Sequence, residues 1–229
     1  MYINEIDIQR FCARQVNVTI GNHTITNVSQ WPRGNLTPVL GSGYIGMKPL
    51  KVVLSVKGAG REEICNNVSK ILAVLIEPVE LRLDKFSHRF RVVLKKNTHA
   101  EVSIRRWHTL TLEFEGYELG YEEGVIVTGT DVTLVNDGNL ATPCVIEVTP
   151  DTDLEELKLT GLSSPVTIYN LTAGKTVVID GEDGLFLEEG TNKFPDMEIE
   201  ELPYLQPGEN TITASTSVTM VIKYSPRYM

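Results

Sequence analysis

The sequence predicts an all-β protein made of two β-sandwich domains, the first with one packed α-helix and the second an antiparallel sandwich of jelly-roll type. Three observations lead there. Apolar and polar residues alternate with period two along most of the 229 residues, the spacing that gives a strand one buried face. One window, from Arg61 to Pro78, switches to the helical period. In the second half, short alternating runs recur between turn signals at near-regular intervals, the pattern of an antiparallel sandwich. We expect domains at residues 1–120 and 121–229.

In the first domain, "RQVNVTI" puts Val16, Val18 and Ile20 on one face, and "LKVVLSV" does the same for Leu50, Val52, Leu54 and Val56. Between them, "SQWPRGNLTPVLGSGYIG" is too rich in Gly and Pro for a helix and too long for a hairpin turn. Residues 30–48 therefore read as an extended, exposed arm able to touch a neighbour. In "REEICNNVSKILAVLIEP", Ile64, Val68, Ile71, Leu72 and Leu75 fall at i, i+4, i+7, i+8 and i+11. With Glu62 and Glu63 near the start and Pro78 beyond the end, this spacing predicts an amphipathic helix over 62–76 lying on the sheet. Strands resume with "HRFRVVL" (Phe90, Val92, Leu94) and "HTLTLEFEG" (Leu110, Leu112, Phe114).

"GYELGYEEG" reads as the connection between domains. After it, "DVTLV", "CVIEV", "LKLTG", "PVTIYN", "TVVIDG", "NTITAS" and "SVTMVIKY" read as short strands. In "LQPGENTIT", Pro207 pre-sets the first corner of a tight turn and Gly208 supplies the positive φ that follows. This turn leads the chain into its last pair of strands.

The net charge of −9 hides an asymmetry. Residues 1–116 carry 16 Lys and Arg against 10 Asp and Glu, net +6, whereas residues 117–229 carry 5 against 20, net −15. Opposite surfaces of this kind can meet head to tail between copies. "MYINEIDIQRF" has no basic-apolar leader character and no apolar run approaches membrane-spanning length, so the chain reads as made in the cytoplasm, without a membrane partner. Cys12, Cys65 and Cys144 are too widely spaced for a disulfide framework or a CxxC clip and read as small buried apolar residues.

No chemistry-bearing motif finds its structural context. "GSGYIG" matches the dinucleotide fingerprint at Gly41, Gly43 and Gly46, but Met47-Lys48-Pro49 and a strand follow, so a phosphate has no helix N-terminus to sit on. "TAGKT" is half a P-loop, with Tyr169 where the leading glycine belongs, and reads as a hairpin turn. His23, His88, His99 and His108 are scattered singly, without metal-ligand spacing. The acidic run "IDGEDGLFLEEG", with Asp180, Glu182 and Asp183, lacks the order of a calcium loop and reads as a turn. We expect no enzyme activity, no cofactor and no metal. Arg105, Arg106 and Trp107 interleave basic and aromatic character, yet no basic helix or nucleic-acid signature accompanies them, so specific nucleic-acid binding is not expected.

Several segments carry a resemblance by their order along nearly the whole chain. They are "WPRGNLTPVL", "KPLKVVLSVKG", "NDGNLATPCVIEV", "LQPGEN" and the terminal Tyr224, Pro226, Arg227 and Tyr228. Together they resemble the distal tail protein family of long-tailed bacteriophages and their prophage relatives. The resemblance implies a hexameric ring at the end of the tail tube, built by the first domains, with galectin-like second domains projecting toward the host-adhesion apparatus. It further implies partners among the tail tube and the receptor-binding proteins, and a place in the virion tail. Ring contacts are then expected from the arm and the helix, with Trp31, Arg33, Tyr44, Arg105, Arg106 and Trp107 as interface residues. The alternative is a carbohydrate-binding module that stacks sugars on Tyr169, Phe186 or Tyr204.

Overall fold

The computed structural model describes residues 1–101 and 106–229. Strand accounts for 58 % and helix for 9 %, and the chain divides into two compact units, Met1–Leu119 and Gly120–Tyr228.

The first unit contains β1 (Tyr2–Ile3), β2 (Ile6–Asp7), β3 (Ala13–Ile20), β4 (Ile25–Thr26), β5 (Ser29–Gln30), β6 (Val39–Leu40), β7 (Tyr44–Ile45) and β8 (Lys48–Lys57). Then come α1 (Arg61–Val74), β9 (Val79–Arg82), β10 (Arg89–Glu101) and β11 (Trp107–Leu119). Its sheet is antiparallel with strand order β2-β1-β9-β10-β11-β8-β3. The alternating apolar residues of β8 and β11 face each other in register, Leu54 with Leu110, Val52 with Leu112 and Leu50 with Phe114, so they form one continuous buried surface. α1 covers that surface with Ile64, Val68 and Ile71. Gly60 gives the helix no side-chain cap, but Glu62 and Glu63 in its first turn complement the helix dipole, and the Glu63 carboxylate accepts the Ala59 N–H at 2.7 Å.

β3 departs from strict alternation. A bulge between Gln15 and Asn17 inserts one residue against β8, and Val16 is turned out of the core to 62 % exposure, while Val18 and Ile20 stay packed against it. The cysteines also differ from the expectation: Cys144 is buried, but Cys12 and Cys65 are exposed. Cys12 sits in a left-handed turn (φ 53°) and Cys65 faces away from the apolar stripe of α1.

The second unit contains β12 (Glu123–Asn136), β13 (Thr142–Thr149), β14 (Leu154–Thr160), β15 (Val166–Leu171), β16 (Val177–Asp180), β17 (Leu185–Glu188), β18 (Thr191–Asn192), β19 (Met197–Ile199), β20 (Tyr204–Leu205) and β21 (Gly208–Tyr224). "NTITAS" and "SVTMVIKY" are not separate strands but the two ends of β21. Its second half pairs with β13 and its first half with β14, so one long strand serves both layers of the sandwich. β12 accompanies β21 throughout, and its bulge between Gly129 and Asp131 lies where both strands pass from one layer to the other. Because of this crossing, 172–176 is not a hairpin: β15 pairs with β14 and β19, while β16 pairs with β13 and β17. Val132, Leu134, Ile146, Val148, Leu157, Ile168, Ile179, Ile212 and Ile222 fill the space between layers.

Candidate interaction surfaces

The arm is the least self-sufficient part of the first unit. β4 pairs with β7 and β5 with β6, so residues 25–45 form a narrow antiparallel ribbon whose side chains have nothing to pack on. Leu36 is 96 % exposed and Trp31 68 %, and Ile25, Val28, Val39, Leu40, Tyr44, Ile45 and Met47 are exposed as well. A contiguous apolar display of this kind marks an interaction surface. The Trp31 indole N–H donates to the Asn35 carbonyl at 2.9 Å, which fixes the tip while leaving the ring outward. Trp31, Arg33 and Tyr44 thus lie on one ribbon. The sequence reading missed the apolar residues between them, although their density inside a Gly/Pro-rich loop was the available signal.

Arg106 and Trp107 lie elsewhere. They help line a groove of about 820 Å³ beside β3, together with Gln9, Arg14, Val16 and Lys57. Arg105 falls outside the described residues.

The histidines do not all stand alone. His99 Nε2 and His108 Nδ1 lie 2.7 Å apart across β10 and β11, with His108 buried. Burial, then the neighbouring His108, holds His99 below the usual histidine range, with Glu101 opposing and Arg61 adding to the shift. At the base of the arm, the buried Lys48 ammonium donates to Glu118 Oε2 at 2.5 Å, and His88 Nδ1 lies 2.6 Å from Glu118 Oε1. Burial alone would raise the Glu118 pKa, but hydrogen bonds from Lys48 and His88 outweigh it and hold the carboxyl below its ordinary range.

In the second unit, one end is closed by a polar cluster. The Asn136 amide donates to Thr142 Oγ1 at 3.2 Å and to the Gln206 carbonyl at 3.3 Å, and its Oδ1 accepts the Gly138 N–H at 3.0 Å. Thr142 Oγ1 also accepts the Arg227 N–H at 3.1 Å. The Asn210 side chain is joined to the backbone of Gln206 and Gly208 by three hydrogen bonds of 2.8 to 2.9 Å. A Cβ on Gly138 would lie 2.6 Å from the Arg227 carbonyl oxygen, so only glycine lets the terminal segment approach this closely. "NDGNLATP", "LQPGEN" and the final "PRY" therefore meet in one hydrogen-bonded cluster, although they are distant in sequence.

Residues 137–228 match the family described as siphovirus-type tail component, C-terminal domain. That stretch makes up most of the second unit. The fold of the chain is similar to the crystal structure of the SPP1 Dit protein, described as a paradigm of the hub adsorption apparatus in phages infecting Gram-positive hosts. That match has 15 % identity and a TM-score of 0.79, covering 99 % of this chain and 98 % of that one. It is also similar to the phage P2 baseplate in its activated conformation with Ca and with Sr, at 12 % identity and TM-scores of 0.57 and 0.56, each match covering 95 % of this chain and 92 % of that one. No curated protein matches the chain in sequence.

The second unit gives little support to sugar stacking. Phe186 is 6 % exposed and packs against Phe194 at 5.4 Å, so its face is occupied, and the Tyr169 hydroxyl donates to Glu198 at 3.2 Å. In the acidic loop, Asp180 Oδ1 accepts the N–H groups of Glu182 and Asp183 at 2.8 and 3.0 Å, a turn-forming arrangement that occupies this oxygen.

Proposed function

We propose that this protein is a phage tail component and forms the distal-tail hub: a catalytically silent ring of six copies that joins the tail tube to the host-adhesion apparatus of the virion. The family match of the second unit supports this most directly, and the whole-chain likeness to a hub protein extends it to the first unit. The arm is the ring contact. The exposed apolar ribbon is paired from Ile25 to Gln30, a span of about 20 Å on a rise of about 3.3 Å per residue, and it carries Trp31, Arg33 and Tyr44 in the open, which supports contact with a second copy. α1 offers the second contact, and the basic first unit meeting acidic surface on the next copy adds an electrostatic part.

Absolute mass by light scattering behind a sizing column, with negative-stain imaging of the largest species, tests the ring. A closed assembly of about six copies is the expected result. A species that never exceeds the monomer, even with tail-tube protein present, overturns the reading. Loosening of the ring at high salt would establish the electrostatic part, and indifference to salt would assign the contact to the apolar arm alone.

A further inference from the structure

We infer that the first half of β12, residues 123–128, is a docking edge of the second unit for an extended segment of another protein, apolar at alternate positions and flanked by Lys or Arg. β12 runs along the margin of both layers of the sandwich. Its first half pairs with the second half of β21, whose other side is taken by β13, and its second half pairs with the first half of β21, which continues to β14. Among the described residues no strand pairs with the opposite side of β12, and no backbone hydrogen bond reaches residues 123–128 from outside this ladder. That side therefore presents alternate N–H and C=O groups to solvent at strand spacing.

The inner face is also unfinished at this edge. In the same layer, Ile146 and Val148 on β13 and Met220 and Ile222 on β21 are at most 1 % exposed, whereas Val125 and Val127, in register with them, remain half-buried. The second half of β12 differs, with Val132 and Leu134 buried. The usual devices that blunt an edge are absent from residues 123–128. Val125, Ile126, Val127 and Thr128 are strong strand formers, no Lys or Pro interrupts them, the bulge lies further on between Gly129 and Asp131, and the one charge, Glu123, stands at the end. A strand laid on this edge covers Val125 and Val127 with its own inward residues, the mode in which backbone hydrogen bonds give affinity and alternate side chains give specificity. Charge selects the occupant. No Lys or Arg occurs from Trp107 to Leu157, Glu122 and Glu123 open the edge, and Asp131 follows it. Lys223, the only basic residue of β21, is held by Glu147 at 2.5 Å. A second copy of β12 would bring these carboxylates against their own kind, so the fitting partner is basic.

The inference deepens the hub reading by giving the chemistry of one partner, and it does not need the ring. The test adds a fluorescein-labelled Lys-Lys-Val-Thr-Val-Thr-Val-Lys-Lys peptide to the full-length chain and follows anisotropy. Saturable binding is expected, with amide hydrogen exchange slowed in residues 123–128. Ile126→Lys/Thr128→Lys, at two exposed positions, should weaken binding by about tenfold or more. Glu155→Gln/Glu200→Gln, the same total change of charge at exposed positions outside β12, should leave it within about twofold. N-methylation of alternate peptide amides should weaken binding to the unaltered chain, and this arm decides alone if the Lys variant lowers the thermal midpoint. Absence of saturable binding, equal binding of a Lys-Lys-Ser-Gly-Ser-Gly-Ser-Lys-Lys peptide or of the Glu-flanked version, or slowed exchange confined to other segments each overturns the proposal. So does binding untouched by the Lys variant, and so does loss of the chain's own assembly in that variant, which makes another copy the occupant. A chain that stays monomeric yet binds the peptide fails the ring and keeps the edge.

Discussion

The arm and the closed end of the second unit are built from the same kind of sequence and end in opposite states. Both are rich in Gly, Pro and Asn. At the closed end, Asn136 and Asn210 turn inward, are buried, and spend their hydrogen-bonding groups on neighbouring turns. On the arm, Trp31, Leu36, Leu40 and Tyr44 turn outward and stay largely exposed. Turn chemistry alone therefore does not say whether a segment completes its own domain or waits for a partner. What separates the two is whether the polar side chains find buried acceptors within the unit.

The largest effect that would break this contrast is on assembly. Changing Trp31, Leu36 and Leu40 together to Ser should abolish the ring while leaving the thermal midpoint of the isolated chain within a degree or two, as expected for surface positions. A coincident fall in the midpoint would mean that the arm belongs to its own domain's core.

Next in size are substitutions inside the second unit. At Gly161 (φ +89°) a Cβ would lie 1.9 Å from the Thr211 carbonyl oxygen, so Gly161→Val should cost more than about 3 kcal/mol in denaturant unfolding. At Gly208 (φ +90°) nothing lies within 4 Å, so Gly208→Val carries only the strain of a β-branched residue at positive φ, about 1–2 kcal/mol. Equal costs at the two positions would show that the approach of Gly161 to Thr211 is not tight. Asn136→Ala should fall between them, at about 2–3 kcal/mol, because it leaves buried groups of Gly138, Thr142 and Gln206 short of a partner.

Smaller effects sharpen the picture at the arm's base and at the thiols. The Glu118 pKa is lowered in the folded chain, so its contribution is complete above the ordinary carboxylate range and is lost as pH falls through the folded value. Glu118→Gln should flatten that acid limb of the stability profile, and an unchanged limb would remove Lys48 and His88 as the stabilising partners. Burial pushes the Cys144 thiol up to about 12, with Asp180 adding to it, while Cys12 and Cys65 are exposed. Iodoacetamide at neutral pH should label two of the three cysteines in the native chain, and fast labelling of Cys144 would indicate that the second unit opens.

Much of the fold was legible from spacing. Leu50, Val52, Leu54 and Val56 alternate and are buried, and Ile64, Val68 and Ile71 keep the helical period and pack on the sheet. The arm was legible as an arm but not as an apolar one, because Gly and Pro dominated its composition. Val16 defeated the pattern, since a bulge depends on the partner strand and leaves no mark in the period of its own. The His99–His108 pair was equally hidden, for its members are joined by the register of two strands and by nothing local.

By itself the sequence determined which side chains face inward along the regular strands and the helix, where that helix runs, and where the chain must turn, including positive φ at Gly208. These are local consequences of the pleat, the helical pitch and allowed backbone angles. Only the tertiary structure decided that β21 is one strand shared by two layers and that three distant motifs close one end of the sandwich. Those outcomes depend on which strands meet, and strand pairing is a choice among non-local partners that alternation leaves open.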